Sequence, residues 1–259
     1  MSDTATPLIR HLLELRRRLL WSLGVVAVLF LLLLPWANGL YHQLALPLLR
    51  SLPSGGQMIA TDITTPFMIP IKLTFHVALF ISIPWLLWQL WAFVAPGLYL
   101  HERKLILPLV VSSAGLFYLG MAFAYWVVCP LLFAFLVATA PQGVTLATDI
   151  ASYLSFIMST FFAFGMAFEV PVAICVLCWA GLTTPAQLVT FRRWFIVAAF
   201  IIAMLLTPPD VLSQVMLAIP LCLLYELGIV LGRHYERRRA QLAAAADAAA
   251  CNKEPTAHD

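Results

Sequence analysis

YLSFIMSTFFAFGMAFEVPVAICVLCWAG, residues Tyr153 to Gly181, decides the class of this protein. Between Tyr153 and Leu182 no side chain is basic, and one, Glu169, is a carboxylate. At about 1.5 Å per residue, a helix over this stretch crosses the ~30 Å hydrocarbon core of a bilayer with length to spare. Glu169 then falls near mid-depth. An ionised carboxylate there costs about 2.5–3.5 kcal/mol on insertion scales, so the group must be neutral, paired or facing water. Pro171, two residues on, has no N–H and leaves a carbonyl one turn back without its helical partner. An acid beside a freed carbonyl is a polar spot in an apolar wall. It can serve packing alone, through a hydrogen bond to a neighbouring helix, but intramembrane acids more often mark working sites.

The rest of the chain is of the same kind. Of 259 residues, 63% are hydrophobic and 10% charged, against about 45–50% and 25% in soluble domains. The fold expected is all-α: a polytopic membrane protein of six transmembrane helices in one bundle. The net charge of +3 gives no reason to expect nucleic-acid binding. The five cysteines (129, 175, 178, 222 and 251) show no disulfide framework. Cys175 and Cys178 form a Cys-x-x-Cys pair, but inside an apolar helix, where small buried residues explain them better than a redox site does.

From the N-terminus, Thr6-Pro7 is a helix start, and Leu8, Leu12, Leu15 and Leu19 form one stripe. Residues 1–18 are therefore expected to be an amphipathic helix on the membrane surface that runs into the first span. The spans fall at about 19–36, 70–95, 105–136, 153–181, 194–206 and 211–231, forming a membrane domain over 19–231. Lys72 can snorkel at the outer end of the second, and His76 reads as a packed neutral residue. Pro130 marks a kink or break in the third, and Thr183-Thr184-Pro185 a cap for a short helix before the fifth. The fifth span holds 13 apolar residues, ~20 Å as a helix. That shortness predicts a concave bundle beside a thinned or wetted strip of bilayer, which would also ease the burial of Glu169. Residues 232–259 read as a basic, then disordered, tail.

The charges orient the chain. Four basic residues precede Leu19, two stand at 103–104, two at 192–193 and five in the tail. The opposite side keeps Arg50, with Lys72 at its boundary. The positive-inside rule then puts both termini in the cytoplasm. Trp21, Trp179 and Trp194 lie near inner ends and Trp36 and Trp126 near outer ends, as an aromatic belt requires.

Signatures of soluble enzymes are missing: no His-Glu-x-x-His, no Gly-x-Ser-x-Gly, no phosphate loop. Neither a cofactor nor a metal is expected. Four acids remain of interest. Glu14 has Arg10 and Arg18 one turn to either side; as a surface ion pair this is worth a few tenths of a kcal/mol. Glu102 stands beside Arg103 and Lys104 in a short loop. Glu169 and Glu226 lie within spans, Glu226 close enough to the tail arginines to snorkel or cap.

Four segments together resemble a known family: His11-Leu12-Leu13-Glu14-Leu15-Arg16-Arg17-Arg18-Leu19, Tyr99-Leu100-His101-Glu102-Arg103-Lys104, Phe168-Glu169-Val170-Pro171 and Leu206-Thr207-Pro208-Pro209-Asp210. Each is weak alone; in this order and spacing they are similar to TatC, the six-span subunit of the twin-arginine translocase. The resemblance runs from about Thr6 to Arg233. It implies export of folded proteins across the bacterial inner membrane, driven by the proton-motive force, with small single-span partners of the TatA and TatB type. It implies that Glu14 and Glu102 bind the Arg-Arg pair of a signal peptide, with Arg16 and Phe93 at the same site. Glu169 matches the family's intramembrane acid, a site for a partner or an inserted signal. Pro47 and Asp210 match functionally sensitive positions on the outer side. Self-association is left open. Two rival readings stand beside it: a proton-coupled small-solute carrier using Glu169, and an intramembrane enzyme using Cys175 and Cys178. The first lacks the polar cavity lining it would need.

Overall fold

The computed structural model describes residues 5–41, 63–94, 106–139, 149–206 and 211–251. Its helices are α1 (Ala5–Leu33), α2 (Thr65–Val94), α3 (Ile106–Phe123), α4 (Cys129–Thr139), α5 (Ile150–Trp179), α6 (Pro185–Leu206) and α7 (Val211–Cys251). A 3-10 turn, Leu34–Trp36, carries α1 on into helix up to Tyr41, and a π turn, Ala124–Val128, joins α3 to α4. Six stretches among the described residues are long and apolar enough to cross a membrane: His11–Tyr41, Thr65–Phe93, Leu107–Phe135, Ile150–Trp179, Pro185–Leu205 and Gln214–His234. The all-α, six-span class is thus observed, and the protein is a multi-pass membrane protein.

Local chemistry explains where the helices begin and end. Asp149 caps α5, its Oδ2 accepting from the Ser152 backbone N–H at 2.9 Å and from the Ser152 hydroxyl at 2.8 Å. Gly181, at φ +70°, ends that helix in the left-handed conformation. Leu182 N–H then reaches Leu177 O at 3.0 Å and Gly181 N–H reaches Cys178 O at 3.1 Å, the double closure of a Schellman motif. Thr184 and Gln187 cap α6 reciprocally: Gln187 N–H donates to Thr184 Oγ1 at 3.4 Å, and Thr184 N–H to Gln187 Oε1 at 3.1 Å. Pro185 takes the first helical position, where its missing N–H costs nothing.

Four expectations change. The first helix is unbroken from Ala5 to Leu33, so residues 5–18 continue the axis of the span instead of forming a separate surface helix. The cap at Thr184 opens a long helix, not a short one. α6 holds 22 residues, about 33 Å, because nothing between Pro185 and Trp194 breaks it. A short fifth helix is therefore no ground for a thinned bilayer, although Arg192 and Arg193 interrupt its apolar sequence. The third span does not break at Pro130 but widens before it: the π turn ends two residues before Pro130, whose ring would otherwise press on the carbonyl of Trp126. Finally, helix α7 runs 41 residues to Cys251. Ala-rich sequence has the highest helix propensity, which carries the helix past the basic residues where a disordered tail is expected.

The chain forms two compact units, Met1–Met166 and Ala167–Asp259, with α5 contributing to both. In the first unit, α1 and α2 run antiparallel. His11 stacks on Phe93 (centroids 4.2 Å apart), Arg18 meets Gln89, and Phe30 meets Phe75 edge-on at 6.0 Å. Helix α3 joins α2 through two polar contacts. The Trp91 indole N–H donates to Ser113 Oγ at 3.0 Å, within the core. The Tyr118 hydroxyl donates to Phe80 O at 3.0 Å. Pro84 has no N–H for that carbonyl, so a side chain of the next helix supplies the missing donor. Phe117, fully buried, lies over Gly165, where an added Cβ would come within 2.6 Å of its ring.

In the second unit, α5 and α7 touch backbone to backbone. A Cβ at Gly228 would lie 3.1 Å from Pro171 Cα and 2.6 Å from Ile174 Cδ1. Such close approach is what small residues give membrane helices in place of a hydrophobic driving force. Helices α6 and α7 form a hairpin in which Tyr225 stacks on Phe195 (centroids 4.1 Å apart) and donates its hydroxyl to Leu188 O at 2.8 Å. Gln214 donates to Phe200 O at 2.9 Å, nearer the end of α6 and the start of α7.

Candidate functional site

Glu14 lies one turn before Arg18 on α1, so both side chains point to one face of the helix. Arg18 turns its guanidinium back: Nε and Nη2 donate to Glu14 Oε1 at 3.0 and 2.6 Å. Its third nitrogen, Nη1, donates to Gln89 Oε1 on α2 at 3.2 Å. The carboxylate is thereby fixed against two helices, while its side chain keeps 36% of its exposure. One turn toward the N-terminus, the stack of His11 on Phe93 holds the same two helices together. A groove of 660 Å³ opens here, lined by Glu14, Arg17, Arg18, Trp21, Trp85 and Gln89, with Leu13 at its edge.

The site residues expected from sequence divide accordingly. Glu14 lines the groove, whereas Phe93 is not among the residues that line it and stacks on His11. Arg16 is exposed on α1, away from the residues that line it. Glu102, Pro47 and Asp210 lie outside the described residues. Glu169 belongs to the second unit and is buried, with 8% of its surface exposed. Two residues before it, Ala167 packs in an apolar cluster with Ala199 and Leu221, from α6 and α7.

Gln89, Trp21 and Trp85 are groove residues that sequence reasoning passed over. A usable signal was present: Gln89 is an amide within an apolar helix, one turn beyond Trp85 in Trp85-Leu86-Leu87-Trp88-Gln89. Glu226 is a second surprise. It does not turn to the tail arginines but pairs with Arg192 across the α6–α7 hairpin, Nη2 donating to Oε2 at 2.8 Å and Nε to Oε1. This is the forked, two-bond geometry that guanidinium and carboxylate favour. Cys175 and Cys178 are both free thiols. Among the described residues no cluster of His, Cys, Asp or Glu could hold a metal ion.

Comparison with known proteins finds one family. The family description "Sec-independent protein translocase protein (TatC)" matches residues 10–220. The TatC protein of Escherichia coli (strain K12) is 57% identical over 233 residues, which cover 90% of each chain. That of Aquifex aeolicus (strain VF5) is 41% identical over 239 residues, 91% of this chain and 98% of the relative. A crystal structure of the twin-arginine translocase receptor TatC superposes with a TM-score of 0.79 at 40% identity, covering 86% of this chain and 98% of that one. A second crystal structure of the same receptor, in the detergent DDM, gives 0.80.

Proposed function

This chain belongs to the TatC family of Sec-independent protein translocase proteins, and on that premise we propose how it acts as a receptor. It binds twin-arginine signal peptides at the cytoplasmic face, with Glu14 and Glu102 taking the two guanidinium groups. With single-span partners of the TatA and TatB type, it moves folded proteins across the bacterial inner membrane at the expense of the proton-motive force. Both termini then lie in the cytoplasm, in keeping with the distribution of basic residues.

The observation that supports this reading best is the contact between Glu14 and Arg18. The carboxylate already receives two N–H groups of one guanidinium, at the mouth of an open groove, on a helix braced by Gln89 and Phe93. It is therefore oriented for arginine and partly accessible. Arginine presents a planar fork, whereas lysine presents a point charge, so a Lys-Lys signal should bind more weakly at equal charge. Arg16, Arg17, Arg103 and Lys104 surround the acids in sequence and oppose any merely basic segment, which leaves specific pairing as the source of affinity.

Photo-crosslinking of a twin-arginine peptide to the protein in membranes tests the reading. Glu14→Ala and Glu102→Ala should each reduce crosslinking with the protein still inserted and folded, and the loss should be far smaller for a Lys-Lys peptide. Undiminished twin-arginine crosslinking in the double variant, with expression intact, would place the site elsewhere.

A further inference from the structure

Among the described residues, the groove beside Glu14 is lined by more positive than negative side chains: Arg17 and Arg18 against the carboxylate of Glu14. It also does not end at its polar mouth. Trp21 is shared with a second groove, of 520 Å³, lined otherwise by Leu20, Gly24, Val25, Val28 and Leu29. The order along α1 is thus cationic at 17 and 18, indole at 21, and wholly apolar from 24 to 29. On α2, running antiparallel, the neutral amide of Gln89 lies level with the cationic step and Trp85 adds a second indole. We propose that these joined grooves form a binding site for an anionic phospholipid, its phosphate at Arg17 and Arg18 and one acyl chain along Gly24 to Leu29.

Length and charge identify this occupant. From Arg18 to Leu29 the helix rises by eleven steps, about 16 Å, close to half of the ~30 Å hydrocarbon core. The joined grooves therefore match one leaflet, the depth of a lipid and not of a membrane-crossing peptide. Indole rings belong at the level between headgroup and chain, where Trp21 and Trp85 stand. A guanidinium binds phosphate through paired charge-assisted hydrogen bonds; Arg18 already gives Nε and Nη2 to Glu14 and Nη1 to Gln89, so Arg17 supplies the fork and Arg18 its charge. Among the described lining residues Arg17 is the guanidinium not paired with Glu14, and its charge favours an anionic headgroup over a zwitterionic one. Gly24 leaves room for the chain: a Cβ placed there meets nothing within 4 Å. Most of the surface of α1 in this region is uncovered by protein, so lipid must lie against it.

Native mass spectrometry of the full chain, released from detergent with phosphatidylglycerol or phosphatidylcholine of the same chain length, reads out the site. The parent should retain phosphatidylglycerol in preference. Arg17→Gln should lower its retention about fivefold, since one basic residue near an anionic surface is worth about that factor, and should leave phosphatidylcholine unchanged. Gly24→Leu should lower retention of both lipids by filling the apolar groove. Arg17 and Gly24 are both exposed, so both variants should fold; unchanged melting in detergent checks this. Equal retention of the two lipids by the parent, or retention indifferent to both substitutions, overturns the proposal. So does complete displacement of phosphatidylglycerol by millimolar inorganic phosphate, which would reduce the site to a free-anion site. Crosslinking of the apolar part of a signal peptide to position 24, undiminished by excess phosphatidylglycerol, would assign the groove to peptide instead.

Discussion

Arg18 holds Glu14 by a single carboxylate oxygen, Nε and Nη2 both converging on Oε1. Among the described residues, the other oxygen takes no part in this contact. An arginine of the chain itself thus occupies half of the carboxylate proposed to receive an arginine of the signal. Partly exposed pairs of this kind are worth about 0.2–1 kcal/mol, so an incoming guanidinium can displace or share Arg18 at small cost. Arg18→Gln keeps a donor toward Gln89 but removes the competing charge. Twin-arginine peptide binding should tighten roughly two- to fivefold, the factor that corresponds to such a pair. Weaker binding in a titration of this variant would instead make Arg18 a positioning residue that Glu14 needs.

Gly228 is predicted to be the most sensitive glycine of the second unit. The methyl of Gly228→Ala would stand 3.1 Å from Pro171 Cα and 2.6 Å from Ile174 Cδ1. The Ile174 methyl can turn aside, but the Pro171 backbone sits within a helix and cannot. Overpacking of this kind costs about 1–3 kcal/mol. The control is Gly115→Ala, where nothing lies within 4 Å and a helical alanine should be neutral or stabilising. Thermal unfolding in detergent should show a clear drop for the first variant alone; equal midpoints would mean that α5 and α7 separate without cost.

Much of this architecture was legible in advance. Apolar runs bounded by clusters of basic residues mark six spans, since bilayer thickness and positive-inside bias act on composition alone. Thr184 and Gly181 were readable as helix ends because capping is local chemistry. Contacts between distant residues were less accessible. Arg18 and Gln89 lie 71 residues apart, and their meeting depends on the register of α1 against α2. The Arg192–Glu226 pair did leave a trace. The two residues stand at nearly equal distances from Leu206, where α6 ends, and Val211, where α7 begins, so antiparallel packing of the two helices brings them level. Length errors arose where composition changes without a break in the backbone: the charged start of α6 and the alanine-rich end of α7 are helical despite leaving the apolar pattern.

Topology is testable by labelling. In a cysteine-free background, single cysteines replacing Gln57, Gln142 or Asp210 should react with a membrane-impermeant thiol reagent applied from outside the cell. The three positions belong to the outer loops expected from the charge distribution. Labelling of Asp210→Cys only after the cytoplasmic side is opened would invert the α6–α7 hairpin and break the six-span order.

Glu169 is predicted to act through a hydrogen bond made with a partner's membrane helix or an inserted signal sequence. Its surface is 8% exposed, and it stands in α5 two residues before Pro171. A carboxylate ionised in such a place is costly, whereas a protonated carboxyl is a donor as well as an acceptor. Glutamine keeps a donor and an acceptor on a side chain of nearly the same size. Alanine keeps neither and leaves a space besides. Export of a twin-arginine cargo should therefore survive Glu169→Gln at a substantial fraction of the parent rate and fall steeply in Glu169→Ala, with both proteins present in the membrane at parental levels. Parental export by both variants would show that no functional hydrogen bond is made there. Loss of export in the glutamine variant would point the other way, to an obligatory charge or proton transfer, because glutamine can supply the hydrogen bond but never the proton.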